Sequence, residues 1–149
     1  MQSQDFHYYL QVRYGECDAQ KVVFNARYGD YVDLAASEYL RAICPREQLP
    51  QGEFDYQVVK LTIVWKASAR FRDVLAIAVR TSHIGNTSFT MDLDIHNQET
   101  GQLLATAEMT GVAVDVHTVE KMTIPEAMRD AMTADGKGLR VDHAGLFSA

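Results

Sequence analysis

The sequence predicts an α+β fold, a largely antiparallel sheet of about five strands with one long helix covering a face, and a short helix near the C-terminus. Three observations carry that expectation. The segments after residue 55 have the alternation and composition of strands. One segment before them carries apolar residues at steps of three and four. The connections between the later strands are of hairpin length, which calls for antiparallel pairing. A chain of 149 residues fits one domain, with a core over residues 6–132 and a patternless tail over 133–149.

The first strand is expected over residues 6–13, where aromatic and β-branched side chains are dense. Residues 14–24 mix Gly15, acids, Cys17, Lys21 and two valines without a period and read as a loop. From 26 to 43 the apolar positions Tyr28, Tyr31, Val32, Ala35, Tyr39, Leu40 and Ile43 fall on one helical face, with Asn25 placed to cap the N-terminus. Cys44-Pro45 ends this helix, because proline disfavours helical geometry in the residue before it. Val59, Leu61, Ile63 and Trp65 alternate with more polar neighbours, and Phe89, Met91, Leu93 and Ile95 do so more cleanly. Between them lies the apolar run 74–79, and 103–116 is a long strand candidate. Gly85-Asn86 and the stretch 97–101 supply turns. Ile124-Pro125-Glu126 opens a helix through Met132, with proline at an early position where its missing N–H does no harm. One helix shields one face of such a sheet, so the opposite face needs polar side chains or a partner subunit.

Composition narrows the function classes. With 47% hydrophobic and 23% charged residues the chain has the balance of a globular protein. No stretch approaches a membrane span, and Met1-Gln2-Ser3-Gln4-Asp5 lacks the basic start and apolar run of a signal peptide, so a cytoplasmic location without membrane insertion is expected. A net charge of −6 argues against general affinity for nucleic acid. Cys17 and Cys44 suggest neither a disulfide framework nor a C-x-x-C pair, and the five histidines lack metal-ligand spacing, so no metal is expected. Within this acidic chain, the segment 56–90 carries Lys60, Lys66, Arg70, Arg72 and Arg80 against the single acid Asp73. It reads either as solvated strand-end charge or as a site for a phosphorylated small molecule.

The run Val12-Arg13-Tyr14-Gly15-Glu16-Cys17-Asp18-Ala19-Gln20-Lys21-Val22-Val23-Phe24-Asn25-Ala26-Arg27-Tyr28 resembles the signature of the 4-hydroxybenzoyl-CoA thioesterase-like branch of the hot-dog superfamily. In that branch an aspartate follows the first strand and the long central helix begins seven residues later, positions matched here by Asp18 and Asn25. The run Lys66-Ala67-Ser68-Ala69-Arg70-Phe71-Arg72-Asp73 resembles the family's bend between second and third strands, and Ile84-Gly85-Asn86-Thr87-Ser88-Phe89 resembles a further family turn. The chain departs from the pattern at Lys21, where the family commonly has a glycine suited to a positive-φ turn.

The resemblance implies an acyl-CoA or aroyl-CoA thioester hydrolase with no cofactor of its own, coenzyme A being part of the substrate. Asp18 would be the catalytic carboxylate, acting as general base on water or as a nucleophile. The backbone N–H of Asn25, at the helix N-terminus, would stabilise the oxyanion. For the CoA moiety the matching stretch is Gly85, Asn86, Thr87 and Ser88, uncharged here, whose backbone N–H groups and hydroxyls would bind phosphate or pantetheine with help from Lys60, Arg70 or Arg72 of the basic segment. A homodimer or homotetramer is implied, since relatives pair their sheets edge to edge and place the active site between subunits. Two other functions stay open: a thioesterase acting on an acyl carrier protein, and a non-catalytic acyl-CoA-binding hot-dog protein. Cys17 beside Asp18 has no histidine placed to activate it, and Glu38 in mid-helix reads as solvated or paired with Arg41.

Overall fold

A computed structural model describes residues 4–147. Residues 1–3 of the expected leaderless start and 148–149 of the tail lie outside the described residues. The elements are β1 (Phe6–Gln11), α1 (Arg27–Ile43), β2 (Asp55–Trp65), β3 (Val74–Ile84), β4 (Ser88–Asn97), β5 (Leu103–Val114), α2 (Glu126–Ala134) and β6 (Arg140–Asp142). They form one sheet of order β2-β5-β4-β3-β1-β6, antiparallel except for the parallel pair β1–β6. With α1 lying along one face, this is the hot-dog arrangement.

The helix period places Tyr28, Tyr31, Val32, Ala35, Ala36, Tyr39 and Leu40 in the core. They meet the inward row of the sheet, which includes Tyr8 and Leu10, Leu75, Ile77 and Val79, Phe89, Met91, Leu93 and Ile95, and Ala105, Ala107 and Met109. Three of the helix positions are tyrosines with a hydroxyl to satisfy, and each reaches a polar partner at the rim. Tyr28 accepts the Ala69 N–H at 3.1 Å, Tyr31 donates to Glu16 at 2.9 Å, and Tyr39 bonds both Thr81 and Asp135. Tyrosine here spans the core and ties the helix to three separate segments.

Two expectations need correction. Asn25 does not cap α1: the capping position is Ala26, in helical geometry and without a side-chain cap. A turn ahead of the helix satisfies the first donors instead, with the Arg27 N–H on Phe24 O at 2.8 Å and the Tyr28 N–H on Asn25 O at 3.2 Å. The tail also does more than its lack of pattern suggests. After α2 the chain turns at Asp135, with φ 67°, and adds β6 alongside β1, giving six strands. The Arg140 guanidinium sits 3.6 Å from the Phe147 ring centroid, and the Asp142 carboxylate accepts the Ala144 and Phe147 N–H groups. Short-range hydrogen bonding and one cation–π contact hold a segment that carries no periodicity.

The Asp135 carboxylate at that turn accepts the Thr81 N–H at 2.8 Å and the Tyr39 hydroxyl. Burial raises its pKa, and the nearby Asp5 adds to this, against the lowering effects of the Tyr39 and Thr81 bonds and of Arg80. A carboxyl with a raised folded-state pKa contributes its stability below the unfolded value and loses it as pH rises through the folded one. Asp135→Asn keeps an acceptor oxygen and removes the charge. The variant is expected to melt higher than wild type at pH 7.5, by about 2 °C or more, with the gap closing toward pH 4. Calorimetric scans across that range would show parallel curves if the charge carries no such cost.

Candidate active site

The loop from β1 to α1 folds into a small hairpin. Residues 14–16 make a single 3-10 turn, Cys17 bridges to Val23, and the Asp18 N–H bonds Val22 O at 2.9 Å. A tight turn over residues 18–21 is closed by the Lys21 N–H on Asp18 O at 2.9 Å and by the Gln20 N–H on Asp18 Oδ1 at 2.8 Å. Lys21 adopts φ 65°, so the turn keeps the left-handed residue that a glycine would supply, at a backbone cost on the order of 1 kcal/mol. The departure from the family pattern changes the side chain at this position and leaves the positive φ in place.

The return arm of the hairpin docks on the bend before β3, with Val22 bridging to Arg70 and the Val23 N–H on Ala69 O at 2.8 Å. A cleft of about 540 Å³ opens there, lined by Tyr14, Cys17, Asp18, Ala19, Lys21 and Phe71, among others. Tyr14 and Phe71 meet edge to face at 5.7 Å, and both are exposed in the single chain. The Arg72 guanidinium lies 5.2 Å from the Phe71 centroid. Asp18 is exposed, and among the described residues a single hydrogen bond holds its carboxylate, leaving the second oxygen available to a ligand.

Asn25 is exposed immediately before α1, and its N–H has no acceptor among the described residues. It is not part of the cleft wall, though it lies at the same end of the sheet. Arg70 and Arg72 also sit at this end, both exposed. Gly85, Asn86, Thr87 and Ser88 do not. They form the turn at the far end of β3, eleven residues away, roughly 33 Å at strand rise. Within one chain the two groups of candidate CoA contacts are therefore separate. The turn is fastened by the Gly85 N–H on Ser88 O at 2.7 Å and the Ile124 N–H on Asn86 O at 3.0 Å. Arg129 of α2 donates to Gly85 O at 2.9 Å, bringing a cation to a stretch that is uncharged in sequence. Only tertiary packing brings it there, 44 positions along the chain.

The basic segment is likewise not one surface. Arg80 points to the outer sheet face, 3.8 Å from Asp92, in an acidic depression of about 400 Å³ that also includes Asp94 and Glu108. That face would repel phosphates. Cys17 is half-buried with its thiol near Arg13 O, and Glu38 is half-buried with no Arg41 ion pair among the described residues. No group of three or more His, Cys, Asp or Glu side chains is placed to hold a metal ion among the described residues. No described helix is long and apolar enough to cross a membrane.

Sequence reasoning missed Glu16, which is 6% exposed. Its Oε1 accepts the Arg13 N–H at 2.8 Å and the Tyr31 hydroxyl at 2.9 Å, and its Oε2 accepts Arg13 Nε at 2.9 Å and Nη2 at 2.6 Å. Burial alone would raise its pKa, but these hydrogen bonds and the Arg13 charge outweigh it and hold the carboxyl below its ordinary value. Tyr31 is correspondingly held as a phenol, its pKa raised first by burial and then by the bond to Glu16.

The family described as the thioesterase-like superfamily matches residues 12–132. An acyl-CoA thioester hydrolase, YbgC, of Escherichia coli O6:H1 is 30% identical over 124 residues, covering 83% of this chain and 92% of the relative. Among solved structures, a 1,4-dihydroxy-2-naphthoyl-CoA thioesterase from Synechocystis superposes with a TM-score of 0.72 at 23% identity, covering 86% of this chain and 95% of the other. The YbaW probable thioesterase from Escherichia coli gives 0.74 at 22% identity, covering 88% and 98%.

Proposed function

The chain belongs to the thioesterase-like superfamily, and on that premise we propose that it hydrolyses acyl-CoA thioesters with Asp18 as its catalytic carboxylate. The observation that carries the reading is the exposed Asp18 carboxylate in a cleft at the end of the sheet where α1 begins, the Asn25 N–H at that same end having no acceptor among the described residues. Hydrolysis needs an oxygen delivered to the carbonyl carbon and donors for the oxyanion. Asp18 either takes a proton from the attacking water or attacks directly, forming a mixed anhydride that water then opens. In either route the C–O bond forms, the C–S bond breaks, and the sulfur leaves as a thiolate that solvent protonates. The Asn25 N–H, with the helix dipole behind it, is the proposed oxyanion donor.

The site is completed by a second copy of the chain. The far turn, residues 85–88, reaches the same substrate only from a partner subunit, whereas Arg70 and Arg72 lie beside the cleft of their own chain. The test is thiol release from a panel of aliphatic and aromatic acyl-CoA esters. Turnover of at least one class is expected. Binding without thiol release across the panel would favour a non-catalytic acyl-CoA-binding protein.

A second outcome concerns anchoring. Replacing Arg70 and Arg72 with alanine should raise KM for acyl-CoA about five- to tenfold with kcat within about twofold, because contacts remote from the carbonyl bind ground and transition states alike. Arg72 already has φ 72°, so alanine adds no new backbone strain there. Added salt should weaken wild-type binding more than the variant's. Equal KM and equal salt dependence would show these arginines to be solvated charges.

A further inference from the structure

Resting on the reading of Asp18 above, we propose that Glu16 is a positioning residue that clamps the Asp18 turn to the N-terminal end of α1 through Tyr31. Every polar group of Glu16 is engaged. Its carboxylate takes four hydrogen bonds, three from Arg13, two residues past β1, and one from Tyr31 in α1. Its main chain accepts the Phe24 N–H at 3.0 Å and donates to Arg13 O at 3.0 Å. The chain just past β1, the loop return and the helix are thus joined at one buried residue. Between the bonded pair Glu16 and Phe24 lies the hairpin carrying Asp18, and Phe24 precedes Asn25 directly.

Beside the core packing of Val23 and the Arg27 N–H on Phe24 O, the Glu16–Tyr31 bond is the one side-chain hydrogen bond between the hairpin and α1 among the described residues. The hairpin's other long-range backbone ties run to Ala69 and Arg70, on the bend before β3. The Asp18 turn itself is exposed. Proximity effects in catalysis are steep, and a displacement near 1 Å can lower turnover about a hundredfold. The Tyr31 bond therefore bears on where the Asp18 carboxylate stands relative to the Asn25 N–H. Glu16 itself is buried and does not line the cleft, so it acts through Asp18 and touches no substrate.

The experiment compares Glu16→Gln, Tyr31→Phe, the double variant and Asp18→Asn, assayed on an acyl-CoA that the wild type turns over, well below each melting temperature. Tyr31→Phe keeps the ring in the core and deletes one hydroxyl, so it remains informative where Glu16→Gln folds poorly. Glu16→Gln and Tyr31→Phe are each expected to lower kcat about tenfold with KM within about twofold. The double variant should lose about as much as the worse single, because both changes break one tether. Turnover within twofold of wild type in folded Tyr31→Phe and Glu16→Gln, with Asp18→Asn inactive, would overturn the clamp and leave the catalytic reading standing. Additive losses in the two singles would also overturn it, as would losses that scale only with the folded fraction. Wild-type turnover in Asp18→Asn would remove the reading on which the clamp rests, and the clamp with it.

Discussion

Asp18→Asn is expected to lower kcat at least about a hundredfold, the scale of a lost acid–base or nucleophilic carboxylate. The substitution separates chemistry from structure. The turn uses Oδ1 as an acceptor for the Gln20 N–H and uses the main chain of Asp18 toward Lys21 and Val22. Asparagine supplies the same acceptor oxygen and the same backbone, so the melting temperature should stay within about 1 °C of wild type. What is lost is the capacity to take a proton from water or to attack a carbonyl. A thiolate leaves readily, which allows one carboxylate to suffice without a dedicated general acid. Turnover within a few-fold of wild type in pure Asp18→Asn protein would end the assignment.

The parts of the fold that were legible are those encoded by period and by local stops. The spacing from Tyr28 to Ile43 places α1 within one residue of its observed start and at its observed end, because a one-sided apolar stripe and a following proline are local signals. The alternation of Phe89, Met91, Leu93 and Ile95 gives β4 and its buried face for the same reason. Strand order was not legible. β2 lies at the sheet edge beside β5, away from β3 that follows it in sequence, and no local pattern encodes that crossover.

At the site, Asp18 and Asn25 were singled out by resemblance to a motif, and the structure sets both at one end of the sheet. The separation of Arg70 and Arg72 from residues 85–88 depends on the length of β3, which runs five residues beyond the apolar stretch 74–79. Glu16 and Arg129 escaped notice because each acts through contacts distant in sequence, 15 positions to Tyr31 and 44 to Gly85. A glutamate in a loop and an arginine on a short helix read as solvated charge until packing shows their partners.

Charging the β2 edge is expected to split the oligomer. The two edges of the sheet are managed differently: β6 covers β1, whereas β2 presents eleven residues with nothing paired on its outer side among the described residues. Long apolar edges of this kind are normally covered. Val59 is 62% exposed, and Leu61 and Trp65 are 40% and 46% exposed although their partners Met109 and Ala105 are buried on the helix face. α1 therefore stops short of this side of the sheet. A second copy related by a two-fold axis would pair β2 with β2, continue the sheet and cover these side chains. Wild-type protein is expected at twice 16.7 kDa or a multiple of it by light scattering at micromolar concentration. A Val59→Asp, Leu61→Asp double variant should remain folded, since both positions are exposed in the single chain. It should run as a monomer, because two like charges would face their own copies across the axis. Thiol release should fall at least about tenfold in the same variant, since a site that draws residues 85–88 from a partner loses those contacts on dissociation. A monomeric wild type, or an unchanged mass in the double variant, would show that β2 is not where the chains meet.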